Sequence, residues 1–136
     1  MSLKVAVLKE TRTGERRVAM VPAVVDKLIK LGAEIRLQAG AGEAVSLPDN
    51  AYRNVTITPD LPTLVGDADV VLAVQPPPLE VVQAMKQGAV LISFVYAHRE
   101  LELVKLLRDR RITCFAMELV PRITRAQAMD ALSSQA

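Results

Sequence analysis

The chain has 136 residues, 17 Lys+Arg against 15 Asp+Glu, 51% hydrophobic residues, 3% aromatics and one cysteine, Cys114. A length near that of one ordinary domain predicts a single core that needs no disulfide or metal to hold it, in a reducing, intracellular setting. Near-balanced charge and scarce aromatics exclude a nucleic-acid binder, and no apolar run approaches the roughly 20 residues that span a bilayer, so membrane contact would come through a partner.

Short apolar stretches alternate with segments of helical spacing. Residues 3–8 (LKVAVL) read as a strand, followed by a loop over 9–17. Pro22 suits a first helical turn, and Val24, Val25, Leu28 and Leu31 form a stripe that Gly32 ends at a C-cap position. Residues 34–39 make a second strand leading into the turn Gly40-Ala41-Gly42. Between 46 and 67 the pattern is weakest, with a short strand at 55–57 and a short helix after Pro59. Residues 69–74 (DVVLAV) form the nearly continuous apolar run of a strand buried on both faces, stopped by Pro76-Pro77-Pro78. A helix over 79–86 halts at Gly88, and a buried strand covers 89–95. An amphipathic helix over 99–110 carries Leu103, Leu106 and Leu107 on one side. The strand at 112–117 (ITCFAM) buries Cys114 as an inert thiol, and a final helix follows Thr124.

This alternation predicts a doubly wound α/β domain. It is a flavodoxin- or Rossmann-like three-layer fold with a mainly parallel sheet and right-handed crossovers, expected to be incomplete. Ligands of such sheets gather at the carboxyl ends of the strands, which directs attention to the loops 9–17, 75–78 and 118–122.

The obvious motifs are absent. A G-x-G-x-x-G starting at Gly40 would need glycine at 45, which is Val45, and there is no Walker loop. Gly40 and Gly42 read as turn residues. Cys114 and His98 are too few for zinc, and His98 reads as a solvated or capping side chain at a strand–helix junction. In the 9–17 loop Lys9, Arg12, Arg16 and Arg17 accompany Glu10 and Glu15. The loop is either self-paired or turned towards a phosphate or carboxylate that guanidinium forks could hold.

The densest signal runs from Glu118 to Gln135. On a helix, Gln127, Asp130, Ser133 and Ser134 share one arc, with Ala128, Met129 and Leu132 opposite. With Arg122 and Arg125 ahead of it, that arc could bind a planar, amide-bearing ligand: Asp130 accepts from the amide NH2, while Ser133 and an arginine donate to its carbonyl. Thr124 and Gln127 also satisfy the capping-box pattern, and Asp130 could equally pair with an arginine on a wet surface. Both readings stand on the residues alone.

The opening from Lys4 to Pro22 (KVAVLKETRTGERRVAMVP) and the run from Met117 to Ala136 (MELVPRITRAQAMDALSSQA) carry a family likeness. The chain resembles the N-terminal portion of the alpha subunit of proton-translocating NAD(P) transhydrogenase, with alanine dehydrogenase as a distant relative. The first segment is similar to both families and the second to the transhydrogenase branch. The resemblance implies that residues 1–136 are the first subdomain of the NAD(H)-binding component, with the glycine-fingerprint Rossmann subdomain absent from this chain. It implies that Arg122, Arg125, Gln127, Asp130 and Ser133 bind NAD(H), Gln127 standing where the ring of NADP(H) on a partner component meets it. The reaction implied is hydride transfer between NADH and NADP+, coupled to proton translocation. The implied partners are a beta subunit, a membrane domain and a second copy of the component, at the cytoplasmic side of the inner membrane.

Alanine dehydrogenases place a lysine at Gln75 and a histidine at Tyr96, which counts against a fragment of an amino-acid dehydrogenase. Arg17 could match their substrate-binding arginine. The remaining alternative is a non-catalytic α/β interaction module. The chain is expected to be a fragment lacking the adenine and pyrophosphate site, and to bind NAD(H) weakly alone.

Overall fold

A computed structural model describes residues 2–119. Six strands form one sheet: β1 (Lys4–Val7), β2 (Glu34–Gln38), β3 (Thr56–Thr58), β4 (Val70–Leu72), β5 (Val90–Ser93) and β6 (Thr113–Ala116). Their order is β3-β2-β1-β4-β5-β6 and every pairing is parallel, with Val5 opposite Ile35 on one side and Val70 on the other. Helices α1 (Pro22–Lys30), α2 (Leu61–Val65), α3 (Leu79–Ala84) and α4 (Leu101–Asp109) connect them. The strand order reverses at β1 and β4, which opens a crevice beyond their carboxyl ends.

Alternation along the strands builds two cores. Ala6, Val71 and Leu91 face α2, α3 and α4 and pack with Leu64, Val82, Met85, Leu103 and Leu107. Val5, Val7, Ile35, Leu37 and Leu72 face the other way, packing with Val25 of α1 and with Val18, Met20 and Tyr52. The doubly wound, three-layer expectation is met.

The irregular stretch between β2 and β3 is held by two polar links. The Tyr52 hydroxyl donates to the Met20 carbonyl at 2.7 Å, its pKa pushed up to about 12 by burial. Asp49 accepts from the Gly40 N–H at 2.9 Å, where a φ of +80° suits glycine.

Two expectations fail in detail. Leu31 is 82% exposed because α1 ends at Lys30 and the chain turns away at Gly32, φ +97°. The strand carrying Cys114 is not sealed on both faces, because β6 lies at the sheet edge: Phe115 is 56% exposed and Cys114 half-buried. Partial burial still raises the thiol to about 11, so the inert reading of Cys114 holds.

Candidate functional site

Four polypeptide exits meet at the carboxyl edge of the sheet: the loops after β1, β4 and β5, and the turn after β6. Carboxylates and guanidinium groups tie them together. Glu10, three residues past β1, accepts from the backbone N–H groups of Val74 (2.8 Å) and Gln75 (2.9 Å) on the β4 exit. Burial raises the Glu10 carboxyl above its ordinary range, and these two bonds only partly offset it. Glu118, two residues past β6, repeats the device on the β5 exit, accepting from Val95 (2.9 Å) and Tyr96 (2.6 Å). Burial acts to raise its pKa too, but the backbone bonds and nearby His98 outweigh it and hold the carboxyl low.

The guanidinium groups complete the rim. Arg12 donates to the Pro76 carbonyl at 3.2 Å and pairs with Glu100, so one side chain joins the exits of β1, β4 and β5. Arg17 grips both oxygens of Glu15 at 3.0 Å, and the Gln75 side chain donates to Glu15 at 2.8 Å. Arg16 donates to the Ala44 carbonyl at 3.0 Å. Within the 9–17 loop Arg17 pairs with Glu15, whereas Arg12 and Arg16 reach out of it to Glu100 and to the Ala44 carbonyl, so the forks of Arg12 and Arg17 already hold carboxylates of this chain. Gln75 stands in the same crevice, its amide engaged with Glu15.

Tyr96 is the strained residue of the rim, with φ +51° in the left-handed region that L side chains avoid. Its ring stacks on Phe94 at 5.8 Å between centroids with 12° between planes, and the Arg99 guanidinium lies 4.5 Å from the centre of the Tyr96 ring. An open cleft of about 480 Å³ adjoins, lined by Arg12, Pro77, Pro78, Arg99 and Glu100.

The sequence-predicted site residues Arg122, Arg125, Gln127, Asp130 and Ser133, with the helix expected after Thr124, lie outside the described residues. The structure supplies the edge from which that segment departs, through Met117–Leu119. Sequence reasoning missed the Glu10 and Glu118 links. Their one signal was a carboxylate within three residues of an apolar strand's end, and it is weak because such residues are also ordinary surface charges. Among the described residues no three His, Cys, Asp or Glu side chains group as metal ligands.

Electrostatics at the rim gives a first prediction. Hydrogen bonds from Arg17 lead the effects that lower Glu15 from 4.5 to about 2. Between those values the unfolded chain binds more protons than the folded one, so Glu15 stabilises the fold above 4.5 and that contribution fades as pH falls towards 2. Glu15→Gln is expected to narrow the gap in urea midpoint between about pH 6 and about pH 3. Asp67 and Asp69, also lowered, retain the rest of the slope. An unchanged gap would contradict the assignment.

Comparison with known proteins extends the geometry. Residues 6–136 match the family described as "Alanine dehydrogenase/PNT, N-terminal domain". An NAD(P) transhydrogenase subunit alpha protein of Rhodospirillum rubrum is 44% identical over 140 residues, covering 98% of this chain and 36% of that one. Alanine dehydrogenase of Bacillus subtilis is 33% identical over 118 residues, covering 85% and 31%. A crystal structure of transhydrogenase from Sinorhizobium meliloti matches with a TM-score of 0.82 at 34% identity, covering 91% of this chain and 37% of that one. The chain thus spans about a third of the length of these relatives.

Proposed function

Because the chain belongs to the family of alanine dehydrogenase and PNT N-terminal domains, we propose that it forms one wall of a nicotinamide-nucleotide cleft in an NAD(P) transhydrogenase. Its place in that enzyme is the first subdomain of the NAD(H)-binding component. The observation that carries the reading is the 44% identity to a transhydrogenase alpha subunit along 98% of the chain, which extends through the segment bearing Arg122, Gln127, Asp130 and Ser133.

The residues present suit one end of the dinucleotide and not the other. Among the described residues nothing forms a pyrophosphate cradle: no glycine fingerprint stands at a strand exit, and the Arg12 and Arg17 forks are occupied by Glu100 and Glu15. The nicotinamide end does fit the chemistry of 122–133. Asp130 accepts from the carboxamide NH2, and Arg122 or Ser133 donates to its oxygen, with Arg125 nearby in sequence. When bound, NADH supplies the hydride. The chain's task is orientation, since direct transfer between two rings needs them near about 3–3.5 Å and needs no general acid or base.

In this reading Gln127 faces the ring of NADP(H) carried by a partner component. Proton translocation belongs to a beta subunit and membrane domain, with a second copy of the component completing a dimer at the inner membrane. No helix among the described residues is long and apolar enough to cross a membrane. The alanine dehydrogenase reading is weakened by Gln75 and Tyr96, and an interaction module gives no reason for the polar arc.

Calorimetric titration of the 136-residue chain with NADH tests this division of labour. With only the nicotinamide wall present, the expected Kd is about 1 mM or weaker, a binding free energy near about −4 kcal/mol. Micromolar affinity would overturn the assignment, because these residues would then hold the pyrophosphate as well.

A further inference from the structure

We propose that Glu15 fills, as an internal ligand, a carboxylate-binding site built by Arg17 and Gln75, and so keeps small organic acids out of the crevice at the carboxyl edge of the sheet. The site lies wholly within the described residues and is independent of the dinucleotide reading.

The Glu15 carboxylate has a full set of donors. One oxygen, Oε1, accepts from Arg17 Nη2 at 3.0 Å and from the Gln75 side-chain amide at 2.8 Å. The other, Oε2, accepts from Arg17 Nε at 3.0 Å and from the Arg17 backbone N–H at 2.9 Å. A guanidinium fork with one further donor to each oxygen complements a planar carboxylate rather than a point charge. Gln75 joins from the β4 exit, 60 residues along the chain from Glu15, so the set belongs to the folded crevice and not to the loop alone.

Exposure separates this pair from an ordinary surface ion pair. The Glu15 side chain is 7% exposed, less than the acid of any other ion pair among the described residues, while Arg17 keeps 43%. The anion therefore lies beneath its cation, as a bound ligand does. Glu10 is no substitute for it, being committed to the backbone N–H groups of Val74 and Gln75. A cavity of about 200 Å³ opens beside the pair, lined by Lys9, Glu10, Glu15, Arg16, Arg17 and Glu43, and gives a small solute a way in. Cutting Glu15 back to its Cβ removes a CH2 and the carboxylate, which together are the heavy atoms of acetate. A small monocarboxylate is thus the ligand class that the emptied site would take.

The test titrates the whole chain with sodium acetate, with sodium chloride at equal ionic strength as the control. NMR follows the Arg17 backbone and Gln75 side-chain N–H signals. Glu15→Ala is expected to bind acetate saturably with a Kd of about 10 mM, whereas the wild type shows no saturable shift at those groups up to about 100 mM. Adding Arg17→Ala to Glu15→Ala should abolish the binding. If Glu15→Ala does not fold, Glu15→Gln, which keeps the side-chain volume, is held to the same criterion: its NH2 faces donors, so acetate displaces it. The proposal is overturned if the wild type binds acetate as tightly as the variant, or if the folded variant shows no saturation. It is equally overturned if binding survives the loss of Arg17, or if chloride reproduces the shifts and marks a counter-ion only.

Discussion

Gln127→Asn is expected to slow hydride transfer in the assembled enzyme by roughly 10–100-fold, with the melting temperature of the subunit moved by no more than about 2 °C. The change removes one methylene and keeps the amide, so what it alters is reach. A side chain that sets the spacing of two rings loses function at once if its amide retreats by about 1 Å. A side chain that merely caps a helix does not, because Asn also hydrogen-bonds readily to nearby backbone groups. The two readings of Thr124-x-x-Gln127 thus part company in one variant: rate and melting temperature that both hold, or that fall together, favour the capping box, and loss of rate alone favours the cofactor arc. Rates should be read under single-turnover conditions, so that product release does not mask the transfer step.

Leu91→Ala is expected to cost about 2–5 kcal/mol of stability by chemical denaturation. Leu91 is fully buried on β5, paired in register with Val71 on one side and Cys114 on the other, and belongs to the core formed with α3 and α4. A strand paired on both sides leaves few ways for the cavity to collapse, since β4 and β6 fix its backbone. Phe115→Ala on the edge strand, where the ring is 56% exposed, provides the contrast and should cost far less. Comparable losses at the two positions would show that β6 is more tightly covered than its exposure implies.

The layer architecture was legible because strand and helix signals here are carried by aliphatic patterning. Residues 69–74 advertised a doubly covered strand, and Gly32 and Gly88 marked element ends where the structure has φ of +97° and +84°. The weak stretch 46–67 still yielded β3 and α2, displaced by a residue or so from expectation. Position within the sheet was not legible. ITCFAM looks as apolar as an interior strand, and only the order of the strands shows that it has one neighbour. The rim escaped for a related reason. Which carboxylate reaches which backbone N–H depends on how loops some 22–65 residues apart come together, a relation that local pattern does not encode. In the 9–17 loop composition alone left pairing and anion binding equally open; in the structure Arg17 pairs inside the loop with Glu15 and Arg12 outside it with Glu100.

The strand order has a consequence for how the chain acquires its shape. Val5 is synthesised before both of its neighbours, Ile35 and Val70, so the middle of the sheet waits for polypeptide made much later. Closing such separated ends costs chain entropy before any pairing repays it, which slows maturation and leaves an aliphatic ribbon unpaired in the interim. The nascent protein is therefore most vulnerable to self-association before its β4 segment has been synthesised, a stage at which chaperone protection would matter most.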